Sequence, residues 1–210
     1  MPSSTFFRLP EEKRARLIEA GWAEMTRVRF TELSISRIIA EARIPRGSFY
    51  QYFDGKEDLI RYLLRDMQGY FIALLRDILV QAEGDLFKLP LMAYDSFISG
   101  KGDADPILTR FIQLITLNKG YDLQSIVGGP SDLLPDQLWE AVDPSKLRRG
   151  DRGYADNIFR LSCAVLAFAI METLRAPNQM DQTRASIEAR MDLLRYGGAA
   201  EGYGYKEETI

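Results

Sequence analysis

The sequence predicts an all-α protein of about nine helices, an N-terminal three-helix unit holding a helix-turn-helix and then a larger helical domain. Three observations carry this. Apolar residues recur at three- and four-residue spacing through most of the chain, and no segment shows the period-two alternation of a strand. Proline, glycine and capping residues cut that pattern into helix-length pieces. Two of the pieces, within residues 34–53, are short and joined by a tight Arg-Ile-Pro turn.

Taken in order, Leu9-Pro10-Glu11-Glu12 sets a proline at the first helical position and carboxylates in the first turn, where the helix dipole favours them. Leu17, Ile18, Trp22 and Met25 form the stripe of this helix, which is expected to end near Arg29. Ser34 is a suitable N-cap for a short second helix with Ile35, Ile38, Ile39 and Ala42 on one face. Arg43-Ile44-Pro45 breaks it. A third short helix, Arg46 to Phe53, carries Phe49 and Phe53 four residues apart, and Asp54-Gly55 ends it. Lys56 opens a long fourth helix with inward residues from Leu59 to Ile78.

Gly84-Asp85 is a break, with Asp85 as the cap of a fifth helix reaching Ser99. A helix from Asp105 to Asn118, a loop from Lys119 to Pro130 and a shorter helix from Ser131 to Val142 follow. Leu147-Arg148-Arg149-Gly150 reads as a solvated loop. Tyr154 to Arg175 is helical and apolar on more than one face, so it needs burial on more than one side. The last helix spans Asp181 to Tyr196, and 197–210 reads as a flexible tail. The expected domains are 1–55, with the helix-turn-helix at 34–53, and 56–196.

Composition narrows the function. The 210 residues are 46% hydrophobic and 27% charged, ordinary for a globular protein with a sizeable core. There is one cysteine, Cys163, and no histidine. No intrachain disulfide, His/Cys zinc site or His-dependent triad is available, so no metal or cofactor is expected and an enzyme is disfavoured. Cys163 reads as a small buried hydrophobe. The N-terminus lacks the basic start and apolar core of a signal peptide. The longest uninterrupted apolar run, Cys163 to Met171, is far short of a membrane span, so a cytoplasmic protein is expected.

The net charge of -3 means that any nucleic-acid footprint is local. From Arg27 to Lys56 the basic residues Arg27, Arg29, Arg37, Arg43, Arg46 and Lys56 face only Glu32, Glu41 and Asp54. The spacing turns Phe49 and Phe53 inward and Tyr50 and Tyr52 outward, where a phenol can donate to a phosphate. Arg46, Gly47 and Ser48 open the helix, where base edges are approached, and Gly47 permits close backbone contact. Gln51 lies on the outer face and suits an adenine edge. Lys56 begins the next helix, whose N-terminus assists phosphate binding. Ser34, Ser36 and Arg37 complete the expected DNA-facing set.

SISRIIAEARIPRGSFYQYFDGKEDLI resembles the DNA-binding signature of TetR-type transcriptional regulators, through Gly47, Ser48, Phe49, Tyr50, Tyr52, Phe53 and Lys56. The likeness is close over Pro10 to Leu64 and is one of layout beyond. Ile39 stands in place of the usual alanine, which is expected to set the two helices slightly wider apart. Arg43 stands in place of the usual turn glycine, at a cost of ~1 kcal/mol if its φ is positive. Pro45 replaces the usual Ser/Thr cap.

A unit of this size reads few base pairs, so a dimer on a palindromic double-stranded operator is expected. The last two helices supply an apolar interface through Leu161, Val165, Phe168, Ile187, Met191 and Leu194, and the resemblance implies a four-helix bundle there. It also implies an apolar pocket for a small-molecule effector within the second domain. Tyr94, Phe97, Phe111, Trp139 and Phe159 are the candidates, beside Phe87, Met92 and Tyr121. The expected function is a sequence-specific transcriptional regulator, a repressor that a small apolar ligand releases from its operator. The alternative is a helical ligand-binding or protein-interaction module that does not contact DNA.

Overall fold

The computed structural model describes residues 1–98, 106–118 and 134–196. The expected loops at 100–103 and 119–130, the start of the helix at Ser131, Tyr121 and the tail lie outside them. The described residues form ten α-helices and three short 3-10 turns, with no strand among them. They divide into two compact units, and the division falls inside a helix, at Phe71.

The first unit begins with a helix that the sequence reading passed over, α1 (Ser4–Phe7). Ser3 caps it, and Phe6 is fully buried. Helix α2 (Glu11–Arg27) starts one residue later than expected: Pro10 is the N-cap, and its carbonyl accepts from the amides of Lys13 and Arg14. Leu17, Trp22 and Met25 are buried as the stripe requires. After a 3-10 turn at Phe30–Glu32 come α3 (Ile35–Ala42) and α4 (Arg46–Tyr52).

Arg43, which ends α3, has φ 54° and ψ 48°, the left-handed conformation that costs a side-chain-bearing residue about 1 kcal/mol or more. Arg43→Gly is therefore expected to raise stability by about 0.5–1 kcal/mol, less than the full relief because glycine frees the unfolded chain. Denaturant titration at unchanged m-value is the check. An unchanged midpoint would mean that the arginine side chain repays its own strain.

Helix α5 (Lys56–Gln81) contributes Leu59, Ile60, Leu63, Leu64 and Met67 to the same core as α2 to α4. That is why the compact unit extends beyond residue 55. The helix α6 (Leu89–Ile98) belongs to the second unit, but α7 (Pro106–Leu117) returns to the first. It packs on α2: Leu114 is fully buried, Arg110 pairs with Glu19 and lies 5.4 Å over the Trp22 ring. Just past its end, Asn118 accepts the Phe30 amide at 3.0 Å.

In the second unit, the chain leaves α5 through Glu83 (φ 55°) and Gly84 (φ 75°). The Gly84 carbonyl accepts the Asp143 amide at 3.0 Å. A Cβ at Gly84 would lie 2.4 Å from that amide nitrogen, on a backbone conformation that alanine already resists. Gly84→Ala is expected to cost about 3 kcal/mol or more and to lower the melting temperature by roughly 6–12 °C. Calorimetry tests this; a loss under 1 kcal/mol would mean that the 141–143 backbone yields.

Asp85 accepts the Phe87 amide at 2.9 Å and an Arg195 N–H at 2.8 Å, so it caps the turn before α6 and ties in the C-terminal helix. Then come α8 (Asp136–Trp139), α9 (Arg152–Arg175) and α10 (Met180–Tyr196). Asp151 caps α9 by accepting from Tyr154. Helix α6 packs on both α9 and α10. Buried Tyr94 and Thr173 share a hydroxyl hydrogen bond of 2.7 Å, and Arg184 forks onto Asp95 at 2.9 and 3.0 Å. Burial pushes the Cys163 thiol up to about 11, as suits a packing residue.

By length and composition alone α9 could also cross a membrane. Counting only uninterrupted apolar residues missed this, because Arg160, Ser162 and Glu172 break the run without making the helix polar. About a third of its apolar window is buried in the protein.

Candidate nucleic-acid interface

A seven-residue helix has little intrinsic stability, so α4 depends on what it packs against. Phe49 and Phe53 are fully buried, with ring centroids 5.7 Å apart, and Phe53 also meets Phe6 and Tyr62. These rings hold α4 on the core. Removing either is expected to cost several kcal/mol, roughly 3–5 for phenylalanine to alanine.

Apart from Tyr52, the remaining residues of α4 lie toward solvent. Arg46, Gly47, Tyr50 and Gln51 are exposed and Ser48 half-buried. Tyr50 keeps 49% of its surface exposed and meets the Phe49 ring edge-on, 5.5 Å between centroids. No atom lies within 4 Å of where a Gly47 Cβ would sit, so the glycine is not demanded by this chain's own packing. On α3, Ser36 and Arg37 are exposed, and Ser36 accepts from Arg46 at 3.2 Å, linking the two helices at the outer face. Lys56 donates to the Thr31 carbonyl at 3.1 Å, which holds its ammonium at the start of α5.

Tyr52 departs from the expectation. It is buried, 9% exposed, with its ring 6.4 Å from Phe6. The helical wheel put it outside the stripe formed by α2 and α3, but α1 covers that side. Ser34 differs in detail as well. It is the N-cap of α3 by position, yet its side chain caps nothing. Its amide instead donates to Glu24 at 3.0 Å.

Glu24, 2% exposed, was not singled out by sequence reasoning. Its other oxygen accepts from Arg27 at 3.1 Å. One carboxylate thus joins α2 to the first turn of α3 and neutralises Arg27. Arg27 therefore leaves the basic count, which stopped short of residue 24. A buried Glu on an apolar helix face is the signal that could have found it.

The other two candidate sets separate. Tyr94, Phe97, Trp139 and Phe159 belong to the second unit, but Phe111 belongs to the first, where its ring meets Phe71 at 5.1 Å. An open polar cleft of about 260 Å³ in the second unit is lined by Glu172, Arg175, Gln179 and Thr183 among others, and by none of the candidate pocket residues. For the interface set, Leu161 and Phe168 are 47% and 52% exposed and Val165 and Leu194 half-buried. Ile187 and Met191 face inward and are buried within the chain, because that face of α10 lies on α6 and α9, so they are not available to the expected interface. The exposed large apolar residues of α10 are Met180, Leu193 and Tyr196.

The helix-turn-helix has the inward aromatic pair, outward polar face and N-terminal glycine of a major-groove reader. Residues 17–63 match the family model of bacterial regulatory proteins, tetR family. Over these residues the chain is similar to the DNA-binding domain of TetR-family regulators. The transcriptional regulator AcuR of Cereibacter sphaeroides is 37% identical over 59 residues, 28% of this chain and 27% of that protein. The match thus spans about a quarter of that relative. The fatty acid metabolism regulator protein of Bacillus subtilis is 22% identical over 140 residues, covering 66% of this chain and 72% of that one. The crystal structure of the Bacillus subtilis regulator FadR in complex with stearoyl-CoA shares the fold at a TM-score of 0.55, with 18% identity over 88% of this chain and 99% of that one. In this TetR-type domain, the departures at Arg43 and Pro45 leave α4 intact: the Pro45 carbonyl accepts the Ser48 amide at 3.0 Å.

Proposed function

We propose that the chain is a dimeric, sequence-specific DNA-binding repressor, released from a palindromic operator by a small apolar ligand. The observation that carries DNA binding is the outer face of α4. Arg46, Gly47, Tyr50 and Gln51 stand exposed on a helix whose other side is locked by Phe49 and Phe53. A helix so presented fits the major groove, with Arg46 and Gln51 toward base edges and Tyr50, Lys56, Ser36 and Arg37 toward phosphates. No base chemistry of the histidine kind is available, which accords with a binding protein.

For the ligand, the support is twofold. Tyr94, Phe97 and Phe159 place buried aromatic residues in the second unit, and the similar Bacillus subtilis regulator carries a name and a bound stearoyl-CoA tied to fatty acids. An acyl chain is the ligand class to try first. The dimer reading is supported by the exposed Leu161, Phe168 and Leu193, an apolar display unusual for a monomer.

The test is selection from a random pool of short duplexes at two salt concentrations, with and without stearoyl-CoA as probe. A palindrome with half-sites about one turn (~34 Å) apart, bound more weakly at higher salt, is expected. Acyl-CoA is expected to release it. No enrichment at either salt would overturn DNA recognition, and enrichment indifferent to acyl-CoA would overturn the ligand class.

A further inference from the structure

Helix α4 ends at Tyr52, and its last carbonyls have no partner within the helix. Two of them are met from far away in sequence. The Ser3 hydroxyl donates to the Gln51 carbonyl at 2.5 Å, and the Ser3 amide donates to the Tyr52 carbonyl at 2.9 Å. Three residues on, Phe6 is fully buried, its ring centroid 5.0 Å from Phe53, 5.2 Å from Tyr62 and 6.4 Å from Tyr52. Ser3 also accepts from the Phe6 amide, so the same residue starts α1 and finishes α4. Ser3 and Phe6 themselves lie outside residues 17–63, the segment the family model covers.

We infer that Ser3 and Phe6 are positioning residues for DNA binding, fixing the recognition helix from its C-terminal end; this rests on the DNA-binding reading above. The physical reason is the shortness of α4. Seven residues form too few internal hydrogen bonds to define an axis, and the outer face reads DNA only if its side chains are held within a fraction of an ångström. Phe49 and Phe53 pin one side of the helix. Without the arm, the terminal turn leans mainly on Phe53, and Gln51 and Tyr50, which lie within that turn, lose their register.

Two variants separate this from a general stability effect. Ser3→Ala removes the hydroxyl and leaves the amide bond; Phe6→Leu keeps an apolar side chain in the core. Each is compared with the parent, and with Ser3→Thr as rescue, for affinity to the duplex enriched by the parent, melting temperature, and amide hydrogen exchange across 49–53. Loss of the Ser3 hydroxyl, which donates to Gln51 and accepts from Phe6, is expected to weaken binding about fivefold and speed exchange at the end of α4, with threonine restoring both and a fall in melting temperature no larger than loss of the α1 cap gives. Parent-like affinity and exchange in both variants would overturn the inference. So would a binding loss fully accounted for by the unfolded fraction. If Phe6→Leu does not fold, Ser3→Ala decides alone. If the parent enriches no duplex, the DNA-binding reading fails and takes this one with it; if only the variants behave like the parent, this one fails by itself.

Discussion

Gly47→Ala is expected to stabilise the protein and at the same time weaken its binding to DNA. The two effects have separate causes. Gly47 is the second residue of α4 with ordinary negative φ, and alanine is the better helix former by up to about 1 kcal/mol. Nothing within 4 Å opposes the new methyl group. A rise of about 2–4 °C in melting temperature follows for a chain of this size. The open space that makes the substitution harmless to the folded chain is where a duplex would press against the helix N-terminus. A methyl group there holds backbone and nucleic acid apart, and the expected loss is about tenfold or more, the scale of one good base contact. Few substitutions move stability and binding in opposite directions, and misfolding cannot imitate that pattern. Tyr50→Phe is the companion, since it keeps the ring on Phe49 and removes only the outward hydroxyl. Thermal melts and titration of the selected duplex report both quantities on one preparation. Undiminished binding by Gly47→Ala would place the N-terminus of α4 away from the DNA.

Local signals made the helices legible. Prolines, glycines and apolar stripes marked α2 to α5 and α9 to α10 to within a few residues, because each is long or sharply bounded. What the sequence hid was mostly non-local. Helix α1 has four residues and no stripe to read, and its consequence, a buried Tyr52, followed from the same gap. Helix α7 shows the same thing at larger scale. Nothing near residues 106–118 says that they join the N-terminal core; the contacts that decide it are Asn118 to Phe30, Arg110 to Glu19 and Phe111 to Phe71. The spacing on α10 does show which residues turn inward, but not whether they pack on their own chain or on a second copy. Ile187 and Met191 took the interior, leaving Leu193 outside.

The site divides along the same line. Outward placement at single positions was readable from the helical spacing, as at Arg46, Gly47, Tyr50 and Gln51. It was unreadable where a charge does internal work. Arg27 counted as part of a basic footprint until Glu24, ten residues before Ser34, proved to hold both its guanidinium and the Ser34 amide. A net count over a window cannot see a partner just outside it.

The second large effect concerns α9. Leu161→Asp combined with Phe168→Asp is expected to convert a dimer into monomers of 23.9 kDa and to reduce affinity for the palindrome by about 100-fold or more. Both side chains are about half exposed on one protomer, so neither carries much of its core. An aspartate at 168 also finds a cation at hand, since the Arg190 guanidinium lies 4.7 Å from the Phe168 ring. The protomer should therefore survive. A two-fold interface repeats every substitution, so four carboxylates would be buried in one apolar contact, at a cost no rim interaction offsets. The loss in DNA affinity follows because the second half-site is no longer held at high effective concentration. Sedimentation gives the mass and duplex titration the affinity. A variant that still sediments as a dimer would move the interface off α9, and would reopen the question of what covers the apolar face of a helix long enough to span a membrane. A monomeric variant that binds the palindrome as tightly as the parent would mean that each helix-turn-helix binds alone, and that symmetry in the operator is not read by symmetry in the protein.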